Sequence, residues 1–416
     1  MRNAIDNLKE RACARADRER TSLIDLSTRI HRHPELKFEE RRAAAWLADY
    51  LEGIGFAVER GAYGLPTAVA ARMGNGRPRV AVLCEYDALP GIGHGCGHNI
   101  IAAAGAGAGA ALSEVLGETG GSVVVLGTPA EEGGGGKILM AREGAFAEVD
   151  AAMMVHPAGF DLMSMHVLAV SEVEVEYRGR AAHAAAAPHR GINALDGLVT
   201  AYNAIAQLRQ HIRATERIHG IITDGGQAPN IVPERAAGLF YVRAASEQRL
   251  GRLKDRVAAC FRAGAAASGA ELHMRTLGED YVDMWTNPAL AASYQANLAR
   301  LGRRLTPPEE VAGPLTGSTD MGNVSKLVPS IHPMIAVSPR AVVLHSAEFA
   351  EWAASEAGHR AVVDGAKALA LTALDVLCQP SVREAAAAAF AAAGGQQGES
   401  TQRNRGSPEV KRPQRS

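Results

Sequence analysis

Three short apolar runs limit what this chain can build. RVAVLCEY (79–86), SVVVLGTP (122–129) and VDAAMMVHP (149–157) each read as a buried strand that ends in a polar loop. Strand, polar loop and helix recur along this stretch. That rhythm predicts an α/β sheet whose chemistry gathers at the carboxyl ends of its strands. The first loop, GIGHGCGHNI (91–100), alternates Gly91, Gly93, Gly95 and Gly97 with His94, Cys96 and His98. Glycine at every second position gives up packing, which marks backbone that bends tightly or is approached closely.

Around this unit, helices are predicted over about 6–32, ended by His33-Pro34, and over about 39–51, ended by Gly53 and Gly55. NIIAAAGAGAGAALSEVL, after the glycine loop, reads as a helix of small residues able to pack very close to its neighbours. The pattern changes at SEVEVEYRG (171–179), where charged and apolar residues alternate as in a strand with one wet face. A helix near 193–213, strands near 217–224 and 236–244, a helix near 246–268 and a strand near 270–277 follow. This β-α-β-β-α-β order predicts a ferredoxin-like α+β module inserted into the α/β domain. The expected divisions are 1–168, an insertion at 169–282, a return to the first domain at 283–381, and a disordered tail at 382–416. In the returning part, HPMIAV reads as a short strand and 348–377 as one long amphipathic helix.

A chain of 416 residues is too long for one small core, which agrees with two domains. A net charge of −1 supplies no basic excess for nucleic acid. The apolar runs are too short or too broken to span a bilayer, so no membrane partner is expected. The first thirty residues are charged throughout and predict no secretory signal. Five scattered cysteines form no disulfide framework, and a reducing, cytoplasmic setting is the expectation.

The three loops offer Cys96 and His98, then Glu131 and Glu132, then His156, with His345 of VVLHSAEF further on. A thiolate, imidazoles and carboxylates form a borderline-soft donor set that suits Zn²⁺, and Mn²⁺, Co²⁺ or Ni²⁺ as well. A Cys-x-His pair alone is weak evidence for a metal site, because residues two apart do not form a zinc knuckle. Cys96 as a nucleophile with His98 as its base is the competing reading. AEEGGGGK invites comparison with a phosphate-binding loop, but that motif requires glycine at 131 and a hydroxyl at 138. The chain has Glu131 and Ile138, so a nucleotide site is excluded.

RIHRHPEL, EYDALPGIGHGCGHN, TPAEEGGGGK, VHPAG, GRAAHAAAAPHRGINAL, PNIVPERA, GSTDMGNVS and HSAEF occur in that order. Together, from about residue 25 to 378, they resemble the metal-dependent amidohydrolase, aminoacylase and carboxypeptidase G family of metallopeptidases. The resemblance is to its Cys-Gly-His branch, which holds the hippurate and auxin-conjugate hydrolases, and within it most of all to the aminobenzoyl-glutamate hydrolases. The resemblance implies a zinc-peptidase-like catalytic domain with a central, mostly parallel sheet, formed by 1–168 and 283–381. It makes 169–282 a dimerisation, or lid, domain and the chain a homodimer. It also implies Cys96, His98, Glu132, His156 and His345 as ligands of one or two divalent ions, Zn or Mn above all, with Cys96 able to bridge two. Glu131 would be the general base and Asp87 would orient a ligand, unless Asp87 merely caps a helix or stabilises its loop.

By the same resemblance His183 acts across the dimer interface on the oxyanion, a donor worth roughly 3 kcal/mol, with His189 as its rival in sequence. Asn230 and Arg243 match positions that hold a substrate carboxylate; without the motif, Arg243 reads as a surface arginine on a strand edge. Gly317 and Ser318 would line the pocket, and His94 has no assigned role. The implied activity is hydrolysis of N-acyl or N-aroyl amino acids, small amide conjugates of the aminobenzoyl-glutamate kind, by metal-activated water. A dipeptidase or N-acetyl amino acid deacetylase on the same scaffold is the alternative, and a non-catalytic metal-binding relative is the reading from a different class.

Overall fold

In the computed structural model, which describes residues 2–307, 310 and 316–394, the apolar runs pair side by side. The main sheet has the order Ala57–Arg60, Val69–Gly74, Ser122–Thr128, Arg79–Glu85, Ala151–Met153, Ser330–Ile331. Val69–Gly74 pairs antiparallel with both its neighbours, and the last four strands run parallel. Val82 is in register with Val125 on one side and Met153 on the other. Side chains of the central strands alternate between two cores. Val80, Val82, Cys84, Val123 and Val125 join one, while Ala81, Leu83, Val124 and Leu126 join the other. Both faces are covered, which is why these strands are apolar at consecutive positions.

The larger core is filled by helices His98–Ser113 and Glu356–Cys378, which pack on each other, with Arg20–Arg32 and Arg41–Gly53 beside them. Small residues permit the approach. A Cβ on Gly107 would lie 2.7 Å from Leu23 and 2.8 Å from Ala366, and one on Gly109 would lie 2.8 Å from Val125. Gly105 sits directly over Cys84 and the Leu83 carbonyl.

A separate antiparallel sheet carries its own core. Its strands Ala169–Arg178, Arg217–Asp224, Arg235–Ala244 and Glu271–Tyr281 have the order fourth, first, third, second, which is the ferredoxin-like arrangement. Helices Ala194–Leu208 and Glu247–Ser268 cover one face, burying Tyr177, Leu198, Phe240, Val242, Val257 and Phe261. The other face stays open, and the alternation in SEVEVEYRG sends Glu172, Glu174 and Glu176 to it.

Several expected elements are divided. The first helix breaks at Glu19 into Arg2–Arg18 and Arg20–Arg32. The strand expected at 149–157 is two: Ala151–Met153 stays in the main sheet, and His156–Ala158 leaves it to pair with Met334–Ala336. The long helix breaks at Ala354–Ser355, where the Ser355 hydroxyl accepts the Gly358 N–H and starts a new helix. The tail expected from 382 is corrected in its first part. Pro380–Ala392 is a helix that buries Ala386 and Phe390, because alanine favours helix and Phe390 finds Trp285 to pack on. The remainder of that expected tail, 395–416, lies outside the described residues. All five cysteines are free, and no helix among the described residues is long and apolar enough to cross a membrane.

Helical glycines should therefore respond with opposite signs. Gly105→Ala gains about 1 kcal/mol of helix propensity but forces an atom into full contact with the central strand, for a net loss of about 1–3 kcal/mol. Gly251→Ala, on a helix position with no atom within 4 Å of the new Cβ, should stabilise by about 0.5–1 kcal/mol. Thermal melts of the two variants beside the parent check both signs.

Candidate active site

The two glycines flanking Cys96 are the places where other loops come closest. Gly97 adopts a left-handed conformation (φ 76°), and a Cβ there would lie 2.5 Å from the Pro157 ring. That contact brings the next residue back along the chain, His156, to Cys96: Sγ and Nε2 are 3.4 Å apart. A Cβ on Gly95 would meet Ile92 at 2.6 Å and the Ser346 carbonyl at 3.1 Å, and the Gly95 carbonyl accepts the His345 N–H at 2.9 Å. His345 itself has φ 63°, a conformation a non-glycine residue keeps only when its surroundings demand it.

The loop after Ser122–Thr128 separates two adjacent glutamates. Ala130 is also left-handed (φ 59°), and its N–H donates to the fully buried Glu40 at 2.9 Å. The Glu131 carbonyl accepts the Tyr281 hydroxyl at 2.6 Å, while the Glu132 N–H donates to Asp87 Oδ2 at 2.9 Å. The other oxygen of Asp87 accepts His98 Nδ1 at 3.0 Å. One buried carboxylate thus positions both an imidazole and the neighbouring glutamate. From His98 Nε2 the carboxylates of Glu132 and Glu131 lie 3.8 and 3.9 Å away, and His345 Nε2 lies 3.4 Å from Glu132.

These side chains fit a divalent cation. Three groups have donor atoms all within 4.8 Å of one another: Cys96, His98 and His156; Cys96, Glu132 and His345; and Glu85, His98 and Glu131. The first two share the Cys96 sulfur. Asp87 holds the proton of His98 on Nδ1, and the Pro157 carbonyl does the same for His156 at 2.8 Å. Each imidazole therefore turns an Nε2 lone pair inward, as metal ligation requires. His98 Nε2 and Glu132 Oε1 are buried without a hydrogen-bond partner. Burial first, then the charges of Glu85 and Glu132, push the Glu131 carboxyl well above the usual carboxylate range.

Beneath the cluster lies a buried ion triad. The Lys137 ammonium contacts Glu85 at 2.6 Å and Asp320 at 2.7 Å, with all three side chains shut off from solvent. Burial alone would strip the proton from Lys137, but Asp320 and Glu85 outweigh it and keep the amine charged. Sequence reasoning missed these residues, together with Glu40, Tyr281 and His332. His332 follows the last parallel strand and packs edge-on against His156, with ring centroids 5.5 Å apart. The available signals were a carboxylate ending an otherwise apolar strand (Glu85) and a lysine after four glycines, weighed only as a phosphate ligand.

A cavity of about 1020 Å³ opens over the cluster, with Cys96, Glu131, Glu132, His156 and His345 on its floor. Gly317 and Ser318 form part of its wall, and Arg243 reaches in from the open face of the antiparallel sheet. Arg243 donates to the Ser318 hydroxyl at 2.8 Å. His183, His189 and Asn230 are exposed and do not line this cavity within one chain. His183 and Asn230 nonetheless adjoin, since the Ala184 N–H donates to the Asn230 carbonyl at 3.0 Å. His94 is buried against His31, ring centroids 6.0 Å apart, and belongs to none of the three donor groups.

The family described as peptidase family M20/M25/M40 matches residues 81–374. A mouse protein named Xaa-Arg dipeptidase is 40% identical over 395 residues, covering 91% of this chain and 91% of its own length. One of the subunits of p-aminobenzoyl-glutamate hydrolase from Escherichia coli K12 is 38% identical over 285 residues, 64% of this chain and 58% of its own. Among solved structures, an aminobenzoyl-glutamate utilization protein from Klebsiella pneumoniae superposes with a TM-score of 0.70 at 20% identity, over 88% of this chain and 98% of its own.

Glu40 offers a test of this geometry that needs no substrate. Burial raises its carboxyl from the ordinary 4.5 to about 7. A raised acid favours its neutral form in the folded state, so the protein loses stability as pH rises through the interval from 4.5 to 7. Glu40→Gln, which keeps an acceptor for Ala130, should melt above the parent at pH 8, by an amount on the order of 2–3 kcal/mol, and the gap should narrow greatly at pH 5. Melts across pH 5–8 measure it.

Proposed function

Because the chain belongs to peptidase family M20/M25/M40 and is a metal-dependent hydrolase of amide and peptide bonds, we propose that it cleaves the bond between an acyl, aroyl or aminoacyl group and an amino acid that keeps a free carboxylate. The observation that carries this reading is the joint geometry of one cavity: inward-turned metal donors and the Glu131 carboxylate on its floor, and Arg243 above them. We assign Cys96, His98, Glu132, His156 and His345 to hold one or two divalent ions, Zn or Mn, with the sulfur common to two donor groups supporting two. When bound, such ions polarise the scissile carbonyl and acidify water.

The chain's own residues supply the rest. Glu131 takes the proton of the attacking water on its carboxylate and delivers it to the departing nitrogen. Asp87 keeps His98 in the tautomer whose Nε2 faces the cluster. Arg243, half-buried and without a carboxylate partner among the described residues, pairs with the substrate's carboxylate. His183 accepts the N–H groups of Ala185 and Ala186 on Nδ1, at 3.3 and 3.2 Å, so its proton sits on Nε2 and is free for donation.

We assign that donation, with the help of Asn230, to the cavity of a second copy. Residues 169–282 then act as the dimerisation domain. The exposed edge strand Arg217–Asp224, with Ile221 61% and Ile222 43% exposed, and the nearby Ile231, 41% exposed, support a homodimer. Free cysteines support a cytoplasmic setting. Between conjugates of the aminobenzoyl-glutamate kind and dipeptides, likeness along nearly the full chain to a protein named Xaa-Arg dipeptidase supports the dipeptide reading at least as well.

The test is amino-acid release by Zn- or Mn-loaded protein from aminobenzoyl-glutamate, hippurate, N-acetyl amino acids and dipeptides, with and without chelator. Release abolished by chelator is expected, and release indifferent to it would sink the mechanism. Glu131→Gln should lower kcat by about 10²–10⁴-fold with metal content unchanged by elemental analysis. His183→Asn should cost about 10²–10³-fold in kcat. Mixing the two inactive proteins under subunit exchange should regain activity, because one hybrid cavity then has both an intact Glu131 and a partner's His183.

A further inference from the structure

The open face of the antiparallel sheet forms the roof of the cavity and brings charge to it. Arg217, His219, Arg243, Glu172 and Glu279 line it from the sheet, and Arg340 from a loop of the other domain. Most of that charge is already matched. Glu279 pairs with Arg142, and Arg340 pairs with Glu310 at 3.2 Å. Burial and the nearby guanidiniums of Arg243, Arg209 and Arg217 depress His219, keeping it neutral near pH 7. Two cations and one anion are left.

The cations are Arg217 and Arg243, Cα partners on adjacent strands. Like charges directly opposite each other cost stability unless an anion lies between them. Neither guanidinium has a carboxylate partner among the described residues: Arg243 donates to Ser318, and Arg217 to the carbonyls of Ala214 and Glu216. The anion is Glu172. Three glutamates on the same face of Ala169–Arg178 show what sets it apart. Glu174 is paired with Arg275, and Glu176 with Arg178 and Arg235. Glu172, the one of the three that reaches the cavity, has no cationic partner among the described residues. It stands opposite Tyr241, its neutral hydrogen-bond partner, whose strand also carries Arg243 two residues on.

We propose that Glu172 is a specificity-determining residue that receives a cationic side chain on the leaving amino acid, while Arg243 and Arg217 hold the same residue's carboxylate. The chemistry is a match of opposites: one fragment with an anionic and a cationic end fits adjacent sites of reversed sign. A leaving glutamate would instead set its second carboxylate against Glu172, which selects against it. The inference rests on the dipeptide reading above, for which the name of the Xaa-Arg dipeptidase relative already points to a basic terminal residue, and adds the residue that would meet that side chain.

The experiment compares kcat/KM for metal-loaded protein on Ala-Lys, Ala-Arg, Ala-norleucine and Ala-Glu. The parent is expected to favour the cationic pair over norleucine, and Glu172→Gln to shrink that ratio about tenfold, chiefly through KM. Glu172→Lys should shift the order toward Ala-Glu. A ratio unchanged by either substitution overturns the assignment while leaving the hydrolase reading intact. No release from any substrate by the parent removes both. Product inhibition of the parent needs no variant that folds: free lysine and arginine should inhibit more strongly than norleucine, and equal inhibition counts against Glu172.

Discussion

A single carboxylate with no access to water holds this site together. Asp87 accepts His98 Nδ1 with one oxygen and the Glu132 N–H with the other, tying the loop after one central strand to the loop after its neighbour. Burial alone would make Asp87 reluctant to ionise, but the imidazole and the amide hold it below the usual carboxylate range. Its charge in turn fixes which nitrogen of His98 faces the cluster. Remove it, and His98 is free to change tautomer while the Glu132 backbone loses its anchor.

Such a site requires several acids to sit close together in a dry interior, which is expensive unless cations or protons intervene. The fold answers locally with Lys137, clamped between Glu85 and Asp320 under the floor. Glu131 and Glu132 are left without a lysine or arginine partner among the described residues. That imbalance is functional in form: inward-facing lone pairs and unpartnered oxygens around a small volume are what a divalent ion satisfies.

The two sheets divide the work by the way their strands bury charge. In the main sheet both faces are covered, so polar groups are confined to strand ends, and the ends converge on one floor. In the antiparallel sheet one face is open, so charge spreads along the strands and most of it self-neutralises. Only where that face overhangs the cavity do Glu172, Arg217 and Arg243 stay uncommitted to one another. The charges of floor and roof are thereby set by different sequence patterns.

What the sequence determined was whatever periodicity and local chemistry can encode. Consecutive apolar positions marked the central strands, alternation marked the strand with a wet face, and glycines around Cys96 marked a loop that others must approach. Family motifs added the expected donor residues, and the structure brings Cys96, His98 and His156, and Cys96, Glu132 and His345, within reach of one another. Breaks in the long helices and the turn that sends His156 out of the sheet left weaker marks, because each depends on a packing partner far along the chain. Only the tertiary structure decided which charges would be neutralised. Lys137 meets residues 52 and 183 positions away, and Glu172 is distinguished from Glu174 by an arginine about a hundred residues on. Pairing of that kind is a matter of distance in space, and a sequence pattern carries burial and period but not the partner.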